Sequence, residues 1–230
     1  LMSDEHFSVD GTLIEAWASH KSFQPKSDGE PDGGAGRDPD VDFKGEQRSN
    51  ATHASTTDPE ARLYQKAEGQ AAKLCYMGHA LMENRNGLIV DAAVTQATGT
   101  AEREAALEMA RRSLPSEGAT LGADKAYDTH DCVADLQADG VAPHIAQNVT
   151  ARRDSAVPDE VAATPGYAVS LRVRKRIEQV FGWGKTVGPM RKTKLRGRSK
   201  VAAQTLLGFA AYNLVRMRKL LTLAPLPATA

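Results

Sequence analysis

Residues 5–10 (EHFSVD) alternate polar and apolar, with Phe7 and Val9 to one side and His6 and Ser8 to the other. That period predicts a short strand. It stops at Asp10-Gly11, a common turn pair, and residues 12–18 then predict a helical turn or two, with Thr12 and Glu15 in capping-box spacing. Residues 72–84 (AKLCYMGHALMEN) and 88–98 (LIVDAAVTQAT) predict two strands joined at Arg85-Asn86-Gly87, where Asn-Gly is a strong hairpin signal. Residues 101–113 follow as a helix. Thr100 is its predicted cap, Glu102 and Glu104 lie near its start, and Arg111 and Arg112 lie in its last turn, as the helix dipole favours. Residues 119–124 predict a strand ending in Asp124, residues 131–140 a helix, residues 141–146 a strand, and residues 200–221 a helix. In that last helix Val201, Ala202, Leu206, Phe209, Tyr212, Leu214 and Val215 form the predicted packing face. Antiparallel strands first, then strands alternating with helices, predict a mixed α/β fold with helices on the faces of a mixed sheet.

Two stretches break this pattern. Residues 22–61 are rich in Gly, Pro, Asp and Ser and poor in apolar side chains. They predict a long irregular insertion after the first strand, because so little apolar surface cannot offset the ordering entropy. Residues 222–230 are mostly Pro, Ala and Thr and predict a frayed, disordered tail. Residues 1–221 then form one domain.

Charge changes the picture further. The chain of 230 residues has a net charge of zero, but its sign is unevenly spread. Residues 1–60 carry −8, residues 61–165 carry −5, and residues 166–230 carry +13. A basic helical C-terminal part, 166–221, on an acidic body predicts a polyanion partner. Met190 to Lys200 alone packs six cations into eleven residues, including Arg191, Lys192, Lys194, Arg196 and Arg198. That density suits phosphate backbones; a solvated surface loop is the plainer alternative. No run approaches the length of a membrane span, and the first residues lack the basic and apolar regions of a signal peptide. Cys75 and Cys132 make neither a disulfide framework nor a zinc site and read as small buried thiols in a reducing cytoplasm.

Glu178 is the lone acid after residue 165, amid 14 Lys and Arg. It admits two readings: an ion pair with Arg174 at i−4, or an ion-binding carboxylate in a DNA-contacting helix where Arg174, Glu178 and Lys185 share a stripe. Asp10 likewise reads as a turn residue or as a site residue at a strand end. Two strand-end aspartates with a later helical glutamate suit two-metal phosphodiester chemistry, in which ions roughly 3.5–4 Å apart activate the attacking oxygen and stabilise the leaving one. Carboxylates favour Mg²⁺ or Mn²⁺.

Four blocks, SVDGTLIEAWASHKSF, FKGEQRSNATHASTTDPEARLYQK, TLGADKAYD and GYAVSLRVRKRIEQVFGWGK, resemble the DDE transposases of bacterial insertion sequences, specifically the insertion-sequence-five group. The resemblance implies an RNase-H-like fold and a catalytic, metal-holding triad of Asp10, Asp124 and Glu178 with two Mg²⁺ (or Mn²⁺) ions. It also implies cleavage and strand transfer on double-stranded DNA at element ends, self-association in a transposition complex, and a bacterial, nucleoid-associated location. The family signature around its glutamate runs Tyr, two residues, Arg, three residues, Glu, six residues, Lys. Arg174, Glu178 and Lys185 fit it, and Leu171 stands at the Tyr position. Nine residues precede Asp10, so the resemblance implies a catalytic domain without the helical N-terminal domain usual in the family. A nuclease of the same fold that cuts without joining, and a remnant that only binds DNA, stay open beside the transposase.

Overall fold

The computed structural model describes residues 2–26, 41–43, 46–66, 69–115 and 118–223. In chain order the elements are β1 (His6–Glu15), β2 (Phe23–Pro25), β3 (Val41–Phe43), β4 (Glu46–Arg48), β5 (His53–Ser55), β6 (Arg62–Tyr64), β7 (Lys73–Glu83) and β8 (Ile89–Gln96). There follow α1 (Ala101–Ser113), β9 (Thr120–Ala123), α2 (His130–Ala138), β10 (Ala142–Ile145), α3 (Asp159–Ala162), α4 (Pro165–Val173), α5 (Arg176–Thr186) and α6 (Arg198–Leu223).

The main sheet runs β10-β9-β1-β7, with β6 and β8 both paired to β7. β1, β7 and β8 form an antiparallel meander, whereas β9 is parallel to β1 and β10 parallel to β9. This is the mixed α/β, RNase-H-like arrangement expected. The hairpin after β7 turns where Asn86-Gly87 predicts it. Gly87 takes the left-handed conformation at φ +72°. The fully buried Glu83 carboxylate accepts the backbone N–H groups of Arg85 at 3.1 Å and Asn86 at 2.8 Å.

Side-chain alternation along β1 and β7 splits the core over two faces. Ile14, Tyr76 and Met82 pack with Ile177, Val180, Phe181, Val201 and Phe209 of α5 and α6. Phe7, Val9 and Leu81 pack with Met109, Val133 and Leu136 of α1 and α2. Cys75 and Cys132 are both free and buried. Among the described residues, no helix is long and apolar enough to cross a membrane.

Four expectations are corrected. Residues 12–15 are not helical: they continue β1, with Gly11 opposite His79 and Glu15 opposite Cys75. Pairing along nine register positions outweighs a local capping signal, and it moves Asp10 from a strand end to a strand interior. Second, residues 22–61 are not irregular throughout. β2 pairs with β5, Phe23 is buried, and the Asn50 side chain both donates to and accepts from the Leu63 backbone at 2.8 Å. The Asp- and Gly-rich middle, residues 27–40, lies outside the described residues, as do residues 224–230 of the expected tail.

Third, the helix carrying Glu178 is broken between α4 and α5 at Arg174 and Lys175. Arg174 caps the first segment rather than sharing one continuous stripe with Glu178 and Lys185. Fourth, the packing face of α6 is Val201, Thr205 and Phe209, with Ala202 and Tyr212 half-buried, whereas Leu206, Leu214 and Val215 are exposed. Polar groups extend that face: Asn213 donates to Ile89 O at 2.7 Å and accepts its N–H at 2.9 Å, and Arg216 donates to Asn86 O at 2.7 Å. Side chains on α6 thus satisfy the backbone at the start of β8, which has β7 on one side only.

Candidate active site

β1 and β9 run side by side only from His6 to Ser8, so beyond the end of β9 that edge of β1 is open while its other edge stays paired with β7. The crevice beyond the carboxyl end of a parallel strand is where α/β sheets place ligands. Here it opens into a cavity of about 630 Å³. Asp10, just past the last parallel pair, and Asp124, the first residue after β9, both line it. Glu178 and Lys185 reach it from α5 and Arg174 from the α4–α5 break. The structure therefore brings Asp10, Asp124, Glu178, Arg174 and Lys185 to one cavity from four parts of the chain.

Local bonding sets the aspartates. Asp10 Oδ1 accepts the Gly11 N–H at 2.7 Å, and Asp124 Oδ1 accepts the Ala126 N–H at 2.8 Å, capping the short turn at 125–127. Burial pushes the Asp10 carboxyl up to about 6; Asp124 adds to the rise, while the Gly11 bond and the Arg174 and Lys66 charges oppose it. Glu178 is exposed, in the first turn of α5. Among the described residues no ion pair joins it to Arg174, so the simple ion-pair reading of Glu178 has no geometry behind it. The Lys185 ammonium is disfavoured first by burial, then by Lys66 and Arg191.

Two charged lining residues, Lys66 and Glu102, are not among the expected site residues. Lys66 follows β6 and faces the same cavity. Glu102, in the first turn of α1, also lines it, and burial together with Asp10 and Asp124 pushes its carboxyl up to about 7. Sequence offers no signal for this, because an acid in the first turn of a helix is explained by the dipole alone. Among the described residues no group of three or more Asp, Glu, His or Cys side chains stands close enough together to hold one metal ion. The lining carboxylates nonetheless offer only oxygen donors, which suits a hard divalent cation.

The predicted phosphate contacts of the basic run do not share this cavity. Arg191 donates to Lys185 O at 3.3 Å. Lys192 is held 2.7 Å from Glu15. Lys194, Arg196 and Arg198 are exposed. Trp183 packs edge-on against Tyr212 at 5.8 Å between centroids, consistent with a packing role rather than a free stacking platform.

No curated protein matches the chain. The family model described as "Transposase DDE domain" matches residues 2–214.

Proposed function

Because the chain belongs to the transposase DDE domain family, we propose that it cleaves DNA and transfers the cut strand at the ends of an insertion sequence, with Asp10, Asp124 and Glu178 as its catalytic carboxylates. The observation that carries this reading is the meeting of those three carboxylates with Arg174 and Lys185 in one cavity. Asp10 and Asp124 would hold two Mg²⁺ or Mn²⁺ ions, and Glu178 would complete one of the two sites. Such ions, when bound, stabilise charge on the attacking and leaving oxygens of a phosphodiester.

The remaining work falls to the chain itself. Arg174 and Lys185 flank the carboxylates and offer hydrogen-bond donors to the oxygens of the scissile phosphate. Lys194, Arg196 and Arg198 project from the surface and meet phosphates further along the duplex. The finer placement, in the insertion-sequence-five group of a bacterium, acting at the nucleoid and assembling with further copies of itself, rests on the sequence blocks around Asp10, Asp124 and Glu178.

The test uses end-labelled linear duplex with Mg²⁺, with and without a free 3′-hydroxyl. Cutting and joining supports the transposase reading. Cutting without joining favours a nuclease of the same fold, and binding without cutting favours a remnant.

A further inference from the structure

Glu102 has more behind it than the helix dipole. Glu104 sits in the same first turn of α1 and remains exposed, as an acid serving only the dipole can. Glu102 instead turns into the cavity that Asp10 and Asp124 line. Its backbone is held there. Thr100, the expected cap, makes no side-chain capping bond; the Thr98 hydroxyl accepts the Ala101 N–H at 3.1 Å in its stead. Arg103 donates to Ala126 O at 3.2 Å, and the Ala126 N–H donates to Asp124. The first turn of α1 is thereby tied to the turn that positions Asp124.

Two independent features point the same way. Gly11 is not in the left-handed region, so glycine is not needed there for its backbone. Its missing Cβ leaves room for Glu102: a Cβ at residue 11 would lie 2.7 Å from Glu102 Oε1 and 3.0 Å from its Cγ, so the Glu102 side chain would have to move aside. The residue after Asp10 is thus a cradle for the Glu102 side chain. The second feature is Tyr127, which is 1% exposed and whose hydroxyl has no hydrogen-bond partner among the described residues. Tyr127 ends the short turn that the Asp124 carboxylate caps. A buried orphan hydroxyl beside a carboxylate cluster is a donor that a rearranged carboxylate or a bound water can use.

We propose that Glu102 is a fourth carboxylate of the ion site, projecting from α1 over the Gly11 cradle beside Asp10 and Asp124. This rests on the ion-site reading given above. Four carboxylates supply more anionic ligands than a triad, and α1, which carries Glu102, packs on the face of the sheet opposite α5.

The experiment is Mn²⁺ binding to the full chain, followed by the electron paramagnetic resonance signal of free Mn²⁺ at pH 8, with a thermal melt on each variant. Glu102→Gln is expected to weaken Mn²⁺ binding about 10-fold or more while the melt stays cooperative. Glu102→Asp, which keeps the charge but shortens the reach, is expected to weaken it too and stands in if Glu102→Gln does not fold. Gly11→Ala is expected to reproduce the loss, and the Gly11→Ala, Glu102→Gln pair to bind no worse than Glu102→Gln alone. Parent-like binding by the Glu102 variants, with binding lost in Asp10→Asn, would overturn the role of Glu102 and leave the ion site standing. Parent-like binding in Asp10→Asn as well would overturn the ion-site reading itself, and the Glu102 assignment with it. Additive losses in the pair would overturn the cradle role of Gly11.

Discussion

The Lys192 ammonium lies 2.7 Å from Oε1 of Glu15, and Lys73 holds the other oxygen at 3.0 Å. Those two cations hold the Glu15 carboxyl below its usual range. Glu15 also anchors the backbone here, accepting the Thr193 N–H at 2.9 Å, so the start of the basic run is stitched to the end of β1. Lys192 already has an anion and is a poor candidate for a phosphate.

Salt dependence separates it from its neighbours. Replacing Lys194, Arg196 and Arg198 with Ala should reduce the slope of log affinity against log salt on duplex DNA by up to about 2.7, at ~0.9 per phosphate contact. Lys192→Ala should leave that slope nearly unchanged and cost about 0–1 kcal/mol of stability, as a partly exposed ion pair does. Equal slope changes for Lys192 and for Lys194 would contradict this division.

Glu178→Gln keeps size and helix propensity and removes the charge. As an ion ligand, its loss should lower cleavage by about 100-fold or more, the scale of a lost electrostatic contribution to the transition state. Duplex binding should persist or tighten, since one negative charge leaves a segment of charge +13. Cleavage with Mg²⁺, duplex affinity and melting belong on one preparation; near-parent cleavage would remove Glu178 from the site.

His79 is fully buried opposite Gly11, and burial pushes its imidazole down to about 4 from 6.5. Between those values the unfolded chain takes up the proton and the folded chain does not. Stability from this group is therefore complete above pH 6.5 and drains away as pH falls toward 4. His79→Leu also loses the 2.8 Å bond to the Thr95 hydroxyl, so its stability should be lower throughout. Its denaturant midpoint should nonetheless fall less steeply than the parent's over that window. Parallel curves would show that His79 does not titrate this way.

The stretch after β4 carries a second stability test. The buried Asp58 carboxyl accepts the Tyr76 hydroxyl at 2.6 Å and the Gly197 N–H at 3.1 Å, joining the former insertion to β7 and to the start of α6. Tyr76→Phe leaves a buried acceptor short of a partner and should cost about 1–3 kcal/mol. For a chain of this size that is about 2–4 °C of melting temperature per kcal/mol. An unshifted melt would mean that residues 46–61 contribute little to the cooperative unit.

The sequence by itself determined the order of the main elements and the chemical candidates. The hairpin at Asn86-Gly87, the strand before Asp124 and the helices at 101–113 and 131–140 are written in short-range periods and turn chemistry. Asp10, Asp124 and Glu178 emerged from strand position, isolation in a charge field and family blocks. Tertiary structure decided what local signals cannot hold. Residues 12–15 joined β1 because β7 offered a long antiparallel partner, and that pairing outweighs a capping box. Residues 46–61 became ordered because Asn50, Ser55 and Asp58 satisfy backbone and side-chain groups distant in sequence, which composition does not register. Glu102 lines the cavity against Gly11, 91 positions earlier, where a side chain would meet its carboxyl. Each of these outcomes depends on contacts between residues far apart in the chain, and their free energy appears only once the sheet has brought them together.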